Sequence, residues 1–133
     1  MELGRIHHVA VAVEDLDEAL ATYERLFDAR VELRGRMEDQ GVEAAYLHVG
    51  GGRVELVTPL GADTPVGRFL AKRGPGMHHV AFEVDDVSSA IGDLAARGAE
   101  VIDEVPRAGL GGHEVAFVHP DSLHGVLTEV VGG

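Results

Sequence analysis

The segment HHVAVAV, from His7 to Val13, alternates with a period of two, which places Val9, Val11 and Val13 on one face of a strand. After it, Leu16, Ala19, Leu20, Tyr23 and the pair Leu26–Phe27 recur at helical spacing, so a helix is expected over about 15–27. Asp15 stands where that helix needs a side-chain acceptor for its unpaired backbone N–H groups. Three strands follow near 29–37, 42–49 and 53–58, and Gly50-Gly51-Gly52 forms a tight hairpin connection between the last two. The same succession then returns. A strand from about Met77 leads to a helix over about 86–97 that opens on Asp86, and to strands near 100–105, 113–119 and 124–131. The stretch 59–76 carries Pro59, Pro65, Pro75 and several glycines, and reads as a linker with a short helix from Val66 to Arg73.

The recurrence extends to the residues themselves. Sliding the chain by the interval between His7 and His78 also superposes His8 on His79, Val9 on Val80, Asp15 on Asp86, Ala19 on Ala90 and Val31 on Ile102. The same shift aligns Glu43-Ala44-Ala45-Tyr46-Leu47-His48 with Glu114-Val115-Ala116-Phe117-Val118-His119. This period is too long for a solenoid and marks a duplicated unit within one domain. The expected organisation is a single domain over 1–133, with module 1 at about 4–58, the linker at 59–76 and module 2 at about 77–131. Each module is βαβββ, so the fold class is α+β. Two such modules close into a curved mixed sheet around a central cavity.

Alternation decides which side chains enter that cavity. With Val9, Val11 and Val13 under the first helix, His8 faces the opposite way. With Val80, Phe82 and Val84 under the second, so does His79. The final strand of each module places one acid in an apolar run, Glu55 within Val54–Val57 and Glu129 within Val126–Val131. A carboxylate in such surroundings is costly without a partner, and a cation provides one. Cysteine is absent, so imidazole and carboxylate are the strong ligands left to the chain. His8, Glu55, His79 and Glu129 are therefore the candidate ligands of one divalent first-row ion, Co, Ni, Mn, Fe or Zn, with water completing an octahedral site. Ala44, Tyr46, Val115 and Phe117 share one parity and are candidates to line the pocket.

Composition narrows the function classes. A net charge of −12 opposes binding to nucleic acid, which needs clustered Lys and Arg. No run of eighteen apolar residues is present, and MELGRIHHVAV lacks the pattern of a secretion signal, so a cytoplasmic location and no membrane partner are expected. The lack of cysteine fits a reducing compartment.

With these motifs together, the chain resembles the methylmalonyl-CoA epimerases of the vicinal-oxygen-chelate superfamily, which also holds glyoxalase I, extradiol dioxygenases and bleomycin-resistance proteins. The resemblance rests on His8-Val9-Ala10, Gln40-Gly41-Val42, Val54-Glu55-Leu56, Phe69-Leu70-Ala71-Lys72-Arg73-Gly74-Pro75-Gly76, His78-His79-Val80-Ala81-Phe82 and Gly125-Val126-Leu127-Thr128-Glu129. It implies interconversion of the 2R and 2S epimers of methylmalonyl-CoA by removal of the proton alpha to the thioester, with an acyl-CoA substrate, a metal-stabilised enolate and a homodimeric assembly. Lys72 and Arg73 are candidate contacts for coenzyme A phosphates. Some relatives carry a glutamate base where this chain has Ala44, and glutamine where it has Glu55. Glu43 is adjacent to Ala44, but parity turns it, like Glu114, to the opposite face. The exchange of one acid for another assigns both base roles to Glu55 and Glu129, which would also be ligands. The competing readings are a glyoxalase I-like isomerase and a non-catalytic small-molecule binder. An extradiol dioxygenase is disfavoured by the second acid, Glu55.

Overall fold

The computed structural model describes residues 1–132, and the chain divides into two compact units. The first is Val9–His78. It contains most of β1 (Ile6–Ala12), then α1 (Leu16–Phe27), β2 (Val31–Met37), β3 (Val42–Val49), β4 (Gly52–Pro59) and α2 (Pro65–Arg73). Its strands lie in the order β2-β3-β4-β1, antiparallel except for the parallel β4/β1 pair. Val49 pairs with Gly52, so Gly50 and Gly51 alone make the turn, and Gly50 adopts a positive φ of 48°. The Asp15 carboxylate accepts from the Glu18 N–H at 3.0 Å and opens α1 as expected. Most of the apolar stripe of α1 packs where alternation directs it, Leu16, Ala19, Leu20 and Tyr23 meeting Val11, Val13, Ala45, Leu47 and Leu56, but its expected end, Leu26 and Phe27, is exposed.

The second unit joins Met1–His8 to the described residues from His79 onward. It holds β5 (Gly76–Val84) from His79 onward, α3 (Val87–Ala96), β6 (Arg107–Ala108), β7 (Glu114–Val118) and β8 (Thr128–Gly132), in the order β5-β8-β7-β6. The parallel pair is β5/β8. The leading segment is fastened beside β5, because Gly4 N–H donates to the Glu83 carbonyl at 2.8 Å and Glu83 N–H to the Arg5 carbonyl at 2.9 Å. Asp86 repeats the helix cap, accepting from the Ser89 N–H at 3.0 Å. Val84, Val87, Ala90, Ile91, Ala116 and Val130 form the core beneath α3.

Two expected strands differ. Over 100–105 only Val101 bridges to Val118, and the strand on the side of β7 away from β8 is the short β6. The reason lies at Asp103, whose carboxylate accepts from the Phe117 N–H at 2.8 Å where a ladder would place a carbonyl, with Pro106 following. The strand expected over 124–131 begins only at Thr128. Before it, Pro120–Leu123 form a 3-10 turn, and His124 and Gly125 take positive φ values of 58° and 95°.

Candidate metal centre

The second unit gathers three of the four expected ligands. His8 comes from β1, His79 from β5 and Glu129 from β8, and all three are buried, at 1%, 7% and 4% exposure. The ladder explains the convergence. Glu129 is the register partner of Ala81 on one side and of Phe117 on the other, and His79 precedes Ala81 by one alternation on the same face. The methyl group of Ala81 leaves room for the longer carboxylate.

His8 Nε2 lies 3.1 Å from Glu129 Oε1 and 3.2 Å from His79 Nε2, and His79 Nε2 is 3.9 Å from the same oxygen. Bonds of about 2.1 Å meeting at right angles put donor atoms about 3.0 Å apart, so the three are spaced as neighbours around one ion. The ligand atoms of this trio all fall within 4.8 Å of one another.

The electrostatics point the same way. Glu129 Oε1 is buried with no hydrogen-bond partner. Burial, reinforced by the negative charge of Asp103, pushes the Glu129 carboxyl up to about 8. A buried carboxylate oxygen facing two imidazole nitrogens is an arrangement that a divalent cation satisfies, and the donor set fits one. Phe117 stands edge-on to His79 with ring centroids 5.2 Å apart and walls this side of the cluster.

Glu55 belongs to the first unit. It is buried at 4% exposure, and its register partners are Ala10 and Tyr46. That register repeats the one around Glu129. Ala10 follows His8 as Ala81 follows His79, and Tyr46 takes the place of Phe117. Tyr46 is buried beneath the Arg53 guanidinium, 5.6 Å from its ring centre. Ala44, two residues earlier on β3, is fully buried.

Glu43 faces away from that side, held by Arg34 at 3.1 Å, while Arg34 also binds Asp17 at 2.7 Å. His78 packs edge-on against Phe69 at 4.9 Å, and burial, with the nearby Arg73 charge, holds its imidazole down to about 4. His119 performs turn chemistry, its Nδ1 accepting from the Asp121 N–H at 3.0 Å. Asp103 was not anticipated from the sequence. It fastens the Phe117 backbone, pairs with Arg107 at 3.3 Å and adds its field to Glu129. The available signal was an acid at the centre of a segment otherwise read as a strand.

Comparison with known proteins places this arrangement. The description "Glyoxalase/Bleomycin resistance protein/Dioxygenase superfamily" matches residues 7–117. The mitochondrial methylmalonyl-CoA epimerase of Bos taurus is 40% identical over 129 residues, 96% of this chain and 74% of that protein. The ethylmalonyl-CoA/methylmalonyl-CoA epimerase of Cereibacter sphaeroides is 36% identical over 130 residues, 96% of this chain and 97% of that protein. A structure of a single-residue variant of the Streptomyces coelicolor methylmalonyl-CoA epimerase, in complex with 2-nitronate-propionyl-CoA, superposes with a TM-score of 0.94 at 37% identity, covering 99% of this chain and 96% of that one. The fold and the site thus define a member of the glyoxalase/bleomycin-resistance/dioxygenase superfamily, and within it the chain belongs to the methylmalonyl-CoA epimerase family. The α+β class expected from the duplicated βαβββ pattern is that of the vicinal-oxygen-chelate fold.

Proposed function

We propose that the protein is a metal-dependent isomerase that interconverts the 2R and 2S epimers of methylmalonyl-CoA. The observation that carries the reading is the buried convergence of His8, His79 and Glu129, whose ligand atoms all lie within 4.8 Å of one another. Glu55 is the fourth ligand, a role supported by a register that duplicates that of Glu129. His8, Glu55, His79 and Glu129 would hold one divalent ion, Co, Ni, Mn, Fe or Zn, which would supply positive charge that makes the proton alpha to the thioester more acidic.

Epimerisation requires a base on each face of the alpha carbon. Ala44 offers no carboxylate, and Glu43 is turned away toward Arg34. The two bases are Glu55 and Glu129, one taking the proton and the other, as the neutral acid, returning it to the opposite face. Ala44, Tyr46 and Phe117 contribute apolar wall to the substrate site and keep water from the carbanion. The reading includes a homodimeric assembly and a cytoplasmic location. Among the described residues no helix is long and apolar enough to cross a membrane.

The test is incubation of metal-loaded protein with 2S-methylmalonyl-CoA in deuterated water. Deuterium at the alpha carbon with formation of the other epimer is the expected result. Turnover of methylglyoxal with glutathione, and none of methylmalonyl-CoA, would assign the same ligands to a glyoxalase I-like reaction instead.

A further inference from the structure

β1 delivers two histidines in succession, and both are buried. Neighbours on a strand send their side chains to opposite faces, yet these two rings meet, with centroids 5.1 Å apart and planes at 76°. Their Nδ1 atoms are 2.8 Å apart. Two lone pairs at that distance repel, and so do two N–H groups, so one of the nitrogens carries a proton and the other accepts it. The His7 ring also packs edge-on against His113, with ring centres 5.5 Å apart.

Which nitrogen holds the proton decides whether His8 can act as a ligand. A neutral imidazole has one N–H. The Nε2 atom of His8 is the one that faces Glu129 Oε1 and His79 Nε2. With the proton on Nε2, the ligand position is blocked and His8 donates into the cluster. With the proton on Nδ1, His8 Nε2 presents a lone pair to the cluster and His7 Nδ1, 2.8 Å away, is the acceptor. Metal-bound histidines are commonly held in this way by an acceptor for their second nitrogen.

We propose that His7 is a positioning residue for the metal centre: its Nδ1 lone pair accepts the Nδ1–H of His8 and thereby sets the tautomer and ring orientation that direct His8 Nε2 to the cation. This rests on the reading of His8 as a metal ligand. His7 then keeps its own proton on Nε2. The role depends on a lone pair at the δ position, so an amide oxygen at that place performs it and a phenyl ring does not.

The experiment compares zinc affinity, by chelator competition, for wild type, His8→Ala, His7→Phe and His7→Asn. His7→Phe keeps the ring volume and is expected to weaken binding by roughly 10–100-fold, the usual effect of removing an outer partner of a metal-bound histidine. His7→Asn restores an acceptor and should bind close to wild type. Heteronuclear NMR of the ring nitrogens in zinc-loaded wild type gives an independent readout that stands even where His7→Phe fails to fold. It should show a proton on His8 Nδ1 and none on His7 Nδ1. A proton on His7 Nδ1 in that state, or zinc binding by His7→Phe as tight as wild type, overturns the proposal. Unchanged affinity in His8→Ala would instead overturn the assignment of His8 as a ligand.

Discussion

At Glu129 and His78, burial acts in opposite directions on stability. The folded Glu129 carboxyl ionises at about 8 against an ordinary 4.5, so without metal the native state keeps a proton that the unfolded chain has released. Its contribution is full below 4.5 and declines as pH rises toward 8. His78 has the opposite sign. Its folded imidazole ionises at about 4 against 6.5, so its contribution is lost as pH falls through that window and is complete above it. The two oppose each other between 4.5 and 6.5, and Glu129 is the one of the pair still changing between 6.5 and 8. Chelator-treated wild type should therefore lose stability relative to Glu129→Gln as pH is raised over that upper range, read from paired denaturation curves. A constant difference would refute the buried-carboxyl account. In metal-loaded protein without substrate Glu129 coordinates as the carboxylate, so the decline should disappear. The ligands themselves make a second expectation. His8→Ala and His79→Ala should each lose most bound metal by elemental analysis, since neither acid replaces an imidazole. Glu55→Gln and Glu129→Gln separate binding from proton transfer, because each keeps an oxygen donor. Metal should remain while epimerisation falls by about 10²–10⁴-fold, the scale of general acid–base catalysis. Exchange of the alpha proton should become one-sided, with opposite epimers favoured by the two variants. Full activity of Glu55→Gln with metal bound would remove Glu55 as a base.

The elements respond to local chemistry that was legible in the sequence where it depends on near neighbours. Asp15 and Asp86 were both readable as caps because an acid one residue before an apolar helical stripe has few other uses. Asp86→Ala should cost about 1 kcal/mol in denaturant unfolding, the typical loss of a side-chain cap. At α2, the Thr64 hydroxyl accepts from the Gly67 N–H at 3.0 Å, and a Cβ on Gly67 would stand 2.5 Å from the Ala62 carbonyl oxygen and 2.6 Å from that of Gly61. Those contacts are backbone and cannot swing aside. Gly67→Ala should therefore destabilise the protein, even though alanine favours a helix, and a gain in melting temperature would contradict this packing. The segment at 100–105 departs from its strand-like pattern for the complementary reason. Its alternation is that of a strand, but whether Asp103 accepts a backbone N–H depends on Phe117 reaching it from β7. No local pattern contains that information.

For the molecule as a whole, an ion that binds only the folded state stabilises it by mass action, by about 2.7 kcal/mol at a hundredfold excess over Kd. Chelation should lower the melting temperature by several degrees and re-addition of zinc should restore it, whereas a melting temperature indifferent to metal would oppose a site buried in the native state. The amino-acid sequence by itself determined the duplicated βαβββ pattern, the two capped helices, the faces of the strands and the candidates His8, His79 and Glu129 that the structure gathers into one buried cluster. Each follows from alternation, helical periodicity and the repeat, which are properties of residues close in sequence or equivalent by duplication. Tertiary structure alone decided how those residues meet. The first eight residues leave the module that follows them and join β5, and this brings His8 to His79 and Glu129. It also decided that Asp103 breaks a strand and that His7 touches His8. These outcomes depend on distances between atoms far apart along the chain or on opposite faces of a strand, set by the packing of the sheet and invisible to any periodicity.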